Sequence, residues 1–153
     1  MTEHLENFTD ATQFESIIQR VSKIQPDSVA GWGTMSAAQM FAHCAEVQEV
    51  LNGKMLRDTP FFVKLMGPLI KKMVLNSKPY PRRSRTHPQY LQTSEKDFGA
   101  EKDRLLESLA HFQEMSATEH AAKVHSLFGN MSMEEKGRAG YKHLDHHLQQ
   151  FGV

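Results

Sequence analysis

Apolar residues recur every three or four positions in four long segments of the chain, which is the pattern of amphipathic helices. Two of these segments begin with a capping box, in which a serine is followed three residues later by Gln39 or Glu135. No segment shows a convincing strand pattern. The predicted helices run from an N-cap at Thr9 or Asp10 to about Gln25, from Ser36 to Asn52-Gly53, from a cap at Thr93 or Ser94 to about Met115, and from Ser132 into the C-terminal histidines.

The connection at residues 54–93 is too long for a plain bundle loop, for which about 2–8 residues are usual. Thr59-Pro60 is typical of a helix start, and Gly67-Pro68 interrupts the apolar run that follows it. We therefore expect two short helices across one end of a bundle, followed by an extended segment at residues 78–85. The predicted fold is all-α: a four-helix bundle with a long helical insertion between the second and third main helices.

Composition limits the classes of function. The 153 residues are 39% apolar, enough for one core, so we expect a single domain over residues 1–153. A formal charge of zero argues against a nucleic-acid binder, which needs a basic face. Cys44 is the only cysteine, which excludes an internal disulfide and favours a reducing, cytoplasmic location. Neither a signal peptide nor an apolar run of about 18 residues is evident, so export and membrane spanning are not expected.

Three of the nine histidines lie close together near the C-terminus. On a helix His143 and His147 share one face, and both border the apolar stripe, whereas His146 lies opposite and should be solvated. His43 borders the apolar stripe of the second helix in the same way. Because bundles build metal sites from facing helices, we predict that His43, His143 and His147 converge on one ion.

The chemistry of this predicted site follows from its ligands. Imidazole suits divalent zinc, nickel, copper and iron, and three protein ligands with one open position are typical of a catalytic site. We expect zinc or nickel, with iron as a further option. The alternative is that each histidine is a hydrogen-bonded residue at a helix margin and holds no metal.

The arrangement of Trp32, His43, His143, His147 and Gln150 resembles the DinB-like (YfiT-like) metal-binding four-helix superfamily, in an uncharacterised branch. That superfamily has a histidine in its second helix and a His-x-x-x-His near the end of its fourth, often followed by Arg-Gly-Gln. This chain has Leu148-Gln149 at the Arg-Gly positions. The resemblance implies a metal-dependent transferase or hydrolase that activates a low-molecular-weight thiol, or water, against an electrophilic small-molecule substrate.

Other residues are weaker candidates for a role in the site. Glu46 either orients His43 or serves as a base, although a solvated helix carboxylate is the more ordinary interpretation. Arg82, Arg83 and Arg85 either clamp the carboxylates of a peptide-like thiol or belong to a solvated loop. His125 is a minor candidate because its loop precedes the histidine helix. The remaining interpretations are Cys44 as a small buried apolar residue, Trp32 as a cover for the core, and His4, His87, His111 and His120 as structural or exposed.

The competing interpretation is a non-catalytic one. The apolar segment from Phe61 to Leu75 also carries Lys64, Lys71 and Lys72, which makes it a candidate amphipathic surface element. In that case the metal is structural and the protein is a module that binds a membrane surface or a protein partner. The segment is otherwise a lid or the interface of a homodimer.

Overall fold

The computed structural model describes residues 5–153, and this part of the chain contains seven α-helices and no β-strand. The all-α prediction is confirmed for this part, and His4 lies outside it. The helices are α1 (Ala11–Lys23), α2 (Ala37–Leu51), α3 (Phe61–Leu65), α4 (Gly67–Leu75), α5 (Phe98–Glu114), α6 (Ala117–Ala122) and α7 (Met133–Gln150), with a 3₁₀ turn at Pro88–Tyr90.

Three of the four long helices begin where the sequence predicts. The Asp10 carboxylate accepts the backbone N–H of Gln13 at the start of α1. Complete capping boxes open α2 at Ser36 and α7 at Ser132. At the other end of α2, Asn52 is the C-cap and Gly53 adopts a φ of 115°, the positive value that favours glycine there.

The start of α5 differs from the prediction. Its N-cap is Asp97, whose carboxylate accepts the Ala100 N–H at 2.7 Å, so the helix begins at Phe98 rather than after Thr93 or Ser94. The carbonyl of Ser94 instead accepts a bond from Gln39 at 3.0 Å and ties this segment to α2. Three good capping residues occur within five positions, and the sequence pattern alone does not rank them.

The connection between α2 and α5 contains two short helices, and the connection between α5 and α7 contains one. The expected pair, α3 and α4, is separated at Met66, but Thr59 does not cap α3 because its hydroxyl is hydrogen-bonded to His87 at 2.9 Å. Helix α6 was not predicted, although Ser116 and Glu119 form a complete capping box at its start.

The core positions the histidine-bearing helices. Helix α2 packs against α5 and α7, and α1 packs against α7. Gly140 allows the close approach of α7 to its neighbours, because a Cβ at this position would lie 2.6 Å from the Phe8 ring and 2.8 Å from Gln48. The principal buried cluster comprises Phe8, Ile17, Val21, Ile24, Ala37, Met40, Phe41, Cys44, Ala45, Leu105, Leu109, Phe112, Tyr141, Leu144, Leu148 and Phe151. Cys44 is therefore a small buried apolar residue, as predicted.

Across residues 5–153, no helix is both long enough and apolar enough to cross a membrane.

Candidate metal centre

Helices α2 and α7 bring three imidazoles together. His43 lies in the middle of α2, and His143 and His147 lie one turn apart near the end of α7. The ring centroids are 4.7 to 4.9 Å from one another. One ring nitrogen from each histidine lies within 4.8 Å of the other two, so the group could hold a metal ion.

The orientation of His43 is fixed by the 3₁₀ turn. Its Nδ1–H donates to the backbone carbonyl of Tyr90 at 2.8 Å, which leaves Nε2 unprotonated and directed at the other histidines. A backbone carbonyl on the outer nitrogen is a common support for a metal-binding histidine.

His147 is oriented by Gln150, the last residue of α7. The Gln150 amide nitrogen donates to the Trp32 carbonyl at 2.7 Å, and its oxygen therefore accepts the Nδ1–H of His147 at 2.8 Å. His147 is then protonated on Nδ1, so its Nε2 lone pair is free to bind a cation.

The third imidazole completes the cluster. His143 Nε2 lies 3.0 Å from His43 Nε2. This distance suits an N–H···N hydrogen bond, and it is also close to the roughly 3.3 Å expected between two nitrogens bound to one tetrahedral zinc ion. The same side chains can therefore satisfy one another without a metal and receive an ion with a small adjustment.

Burial keeps the cluster uncharged at neutral pH. It lowers the pKa of His43 despite the bond to Tyr90, and it lowers the pKa of His143 further, with the neighbouring histidines adding to the effect. Burial and the adjacent His43 lower the pKa of His147 to about 3, although the bond to Gln150 opposes that shift. Neutral imidazole is the form that binds metals.

The cluster borders a cavity of about 530 Å³, a volume typical of small-molecule sites. His143, His147 and His146 contribute one part of its wall, and most of the remaining wall is apolar. Helices α2, α3, α4 and α7, the loop after α2 and the loop before α7 all supply apolar lining. These side chains are Val47, Leu51, Leu56, Phe62, Val63, Ile70, Met73, Val74, Leu127, Phe128 and Ala139.

His146 differs from its prediction, because it is half-buried and lines this cavity. The rings of Trp32 and Tyr80 both meet it edge-on, with centroids 5.7 Å away. The helical wheel of α7 could not show this contact, because both rings come from distant parts of the chain.

Glu46 is not the solvated carboxylate that the sequence favours. It is 8% exposed and contacts Lys54, Gln89 and the Arg104 guanidinium. Its carboxylate accepts no hydrogen bond from the three histidines, and Tyr90 occupies the orienting position on His43 instead. Glu46 reaches the cluster only indirectly, through Gln89, the residue that precedes Tyr90.

The three arginines of the inserted segment lie in different environments. Arg85 lines the cavity, the Arg82 guanidinium lies 4.3 Å from the centroid of the Trp32 ring, and Arg83 is exposed with a φ of 61°. Trp32 thus contacts Arg82 and His146 beside the site. A role for these arginines in substrate binding stays a prediction.

Among the other histidines, His125 lines the cavity and is buried. Its Nδ1 accepts two backbone N–H groups at 3.1 Å, and burial lowers its pKa to about 4. His87 also lines the cavity and bonds Thr59. His120 is fully buried, with Nε2 bonded to the Phe112 carbonyl, and His111 is exposed.

Comparison with known proteins identifies a family. The family described as "Protein of unknown function (DUF1569)" matches residues 4–152, so the chain belongs to it. Searches of curated proteins and of solved structures find no match.

Proposed function

We propose that this DUF1569 protein is a metal-dependent enzyme of the DinB-like superfamily, built as a single four-helix domain with an insertion over its active site. His43, His143 and His147 hold one divalent ion, with zinc or nickel favoured by an all-imidazole ligand set and iron as an alternative. The substrate is an electrophilic small molecule, and a low-molecular-weight thiol or water is the second reactant.

One observation supports this proposal above all: three neutral imidazoles meet at the wall of an apolar cavity large enough for a small molecule. An ion with three protein ligands and an open position would bind a thiol or water and stabilise its deprotonated, nucleophilic form. The protein's own groups orient the ligands, through the Tyr90 carbonyl and Gln150, and the apolar wall excludes water from the reactants.

The first experiment measures metal binding by the whole chain. Protein stripped with a chelator is incubated with zinc or nickel, desalted and analysed for metal, beside His143→Ala and the control His111→Ala, which alters an exposed histidine. We expect about one ion per chain in the wild type and in the control, and little in His143→Ala. Metal should raise the melting temperature of the same two proteins, since a ligand that binds only the folded state stabilises it.

If the protein binds neither zinc, nickel nor iron and shows no thermal shift, the proposed metal centre is wrong. If the metal binds, small thiols are tested against activated electrophiles, with and without His143→Ala. Turnover by the wild type that is lost in His143→Ala supports the proposed enzymatic function.

The second candidate function is non-catalytic. In it the metal is structural and the exposed apolar surface of α3 and α4 binds a partner. Phe61 and Leu65 favour this candidate, because they are 81% and 73% exposed in a small protein. It takes precedence if metal is bound but no thiol or water reaction is found.

A further inference from the structure

The charges of the chain are strongly segregated. Residues 54–92 contain nine lysines and arginines and one acidic residue, a formal charge of +8, so the rest of the chain carries −8. Within residues 5–153, ion pairs with carboxylates engage only two of these nine cations, Lys54 and Lys71. The other seven give the inserted segment a basic surface.

The same segment concentrates the exposed apolar side chains. Of the ten large apolar residues that are exposed within residues 5–153, eight lie between residues 55 and 91. Six of them are on α3, α4 and the residue between the two helices, and we call this set the apolar face: Phe61, Phe62, Leu65, Met66, Leu69 and Met73. Lys64 and Lys72 are exposed on the same helices.

We propose that the apolar face docks on anionic lipid bilayers. Aromatic and aliphatic side chains that enter the boundary between headgroups and acyl chains, flanked by lysines, are the features of an interfacial amphipathic helix. Anionic headgroups supply the negative charge that the +8 segment lacks. A fluid bilayer also accepts protruding side chains without the shape complementarity that a protein interface requires.

A second copy of the chain is the less favourable occupant. In a two-fold dimer each face meets itself, so Lys64 and Lys72 would approach the same residues of the other subunit. Like charges brought together in this way oppose association.

The apolar face is continuous with the wall of the cavity. Phe62 and Met73 belong to both, being exposed at 67% and 47% while also lining the cavity. Docking would therefore place the acyl region of the bilayer beside α3 and α4, next to side chains that also line the cavity. The docking itself does not depend on the proposed metal chemistry.

The test compares binding of the whole protein to phosphatidylcholine vesicles with and without phosphatidylserine, by flotation. Two double variants address the two components of binding: Phe61→Ser with Leu65→Ser, and Lys64→Glu with Lys72→Glu. Val29→Ser and Lys23→Glu are matched controls, because both residues are exposed outside the inserted segment. All four substitution sets alter exposed side chains, so circular dichroism should show an unchanged fold.

We expect wild type to bind vesicles that contain phosphatidylserine, less at high salt, and weakly to neutral vesicles. Each double variant should lower the partition coefficient roughly tenfold or more, whereas the controls and His143→Ala should match wild type. Because His143→Ala removes one proposed metal ligand and alters no residue of the apolar face, failure of the metal centre and failure of docking are distinguishable.

A labelling experiment tests insertion as distinct from charge attraction. Cys44 is buried, so a cysteine at Leu65→Cys can be labelled selectively with a polarity-sensitive dye, and Val29→Cys provides the control. Anionic vesicles should shift only the Leu65→Cys emission to shorter wavelength. Equal binding to both kinds of vesicle, no emission shift, or a dimer that disappears in Phe61→Ser with Leu65→Ser without any vesicle binding would each overturn the proposal.

Discussion

At the scale of single residues, the candidate metal centre depends on hydrogen bonds that fix which nitrogen of each imidazole is protonated. Gln150 is the side chain with this task, because it bridges His147 and the carbonyl of Trp32. It thus joins the end of α7 to the segment that precedes α2. A partner of this kind typically changes metal affinity by about 10- to 100-fold when it is removed.

We predict that Gln150→Ala weakens zinc binding by about 10- to 100-fold, because His147 loses the acceptor that holds its Nδ1–H. Gln150→Glu keeps an acceptor and should retain more affinity. Gln149→Ala is the matched control, since Gln149 is exposed and its side chain bonds only Asp145 among the described residues. Competition titration with a chromogenic chelator measures the affinities, and equal values for Gln150→Ala and Gln149→Ala would contradict the role of Gln150.

The sequence predicts the three histidines but not their supports. His143 and His147 follow from helical spacing, and His43 from its place beside an apolar stripe. The Tyr90 carbonyl is a backbone group 47 residues from His43, and no side-chain pattern indicates it. Glu46 illustrates the same limit, because its partners Lys54, Gln89 and Arg104 come from three other segments.

At the scale of elements, α7 organises the short helices through buried cations. Lys142 donates to the carbonyls of Met73 and Asn76 at the C-terminal end of α4, and Arg138 also bonds the Asn76 carbonyl. Lys136 likewise donates to the carbonyls of His120 and Lys123 at the C-terminal end of α6. Cations at these positions donate to carbonyls near the C-terminal ends of the two helices, and they complement the helix dipole.

We predict that Lys136→Met lowers the free energy of unfolding by on the order of 3 kcal/mol, because the Met side chain cannot replace the hydrogen bonds from the ammonium to the His120 and Lys123 carbonyls. Lys136 is completely buried, and its ammonium lies 2.7 Å from the His120 carbonyl and 2.6 Å from that of Lys123. The exposed Lys23→Met is the control and should change stability by about 0.5 kcal/mol or less. Urea denaturation measures the free energy of unfolding of both variants, and equal midpoints would refute the capping role of Lys136.

Element boundaries were predictable where one capping signal stood alone. Ser36 and Ser132 each have a glutamine or glutamate three residues later, and both helices start there. Thr93, Ser94 and Asp97 are all suitable N-caps for α5, so the sequence does not single out one of them. The hydrogen bond from Gln39 to the Ser94 carbonyl joins segments that are far apart in the sequence. Helix α6 carried a readable signal in Ser116 and Glu119, but its six residues lack an apolar period.

At the scale of the whole molecule, the inserted segment is fastened at both ends to one carboxylate. Glu46 contacts Lys54 near the start of the segment and Gln89 near its end, and Gln89 also bonds the Met55 carbonyl and the Arg57 N–H. The turn containing Gln89 then presents the Tyr90 carbonyl to His43. Glu46 therefore contributes both to holding the inserted segment and to placing the turn that orients His43, a link that the sequence alone does not reveal.

Protonation of this attachment should loosen it. Burial raises the pKa of Glu46, but the hydrogen bonds from Lys54, Gln89 and Arg104 outweigh that effect and leave it below its ordinary value of 4.5. A carboxyl whose pKa is lower in the folded state stabilises the fold above its unfolded pKa, and that contribution is lost as the pH falls through the folded value. Acidification below about pH 4.5 should thus loosen the hold of Glu46 on the segment. Other carboxylates that are paired in this way lose their ionic bonds over the same range.

We predict that Glu46→Gln makes residues 54–92 more susceptible to trypsin at neutral pH, because the neutral amide gives up the ionic bonds to Lys54 and Arg104. Global stability should fall by only about 1–2 kcal/mol, since both cations keep Glu49 as a partner. The exposed Glu95→Gln removes the same charge and should behave as wild type. Mass spectrometry of limited digests locates the cleavage sites. New sites confined to residues 54–92 would support local release of the segment, whereas unchanged digestion, or cleavage spread over the whole chain, would show that Glu46 does not fasten it.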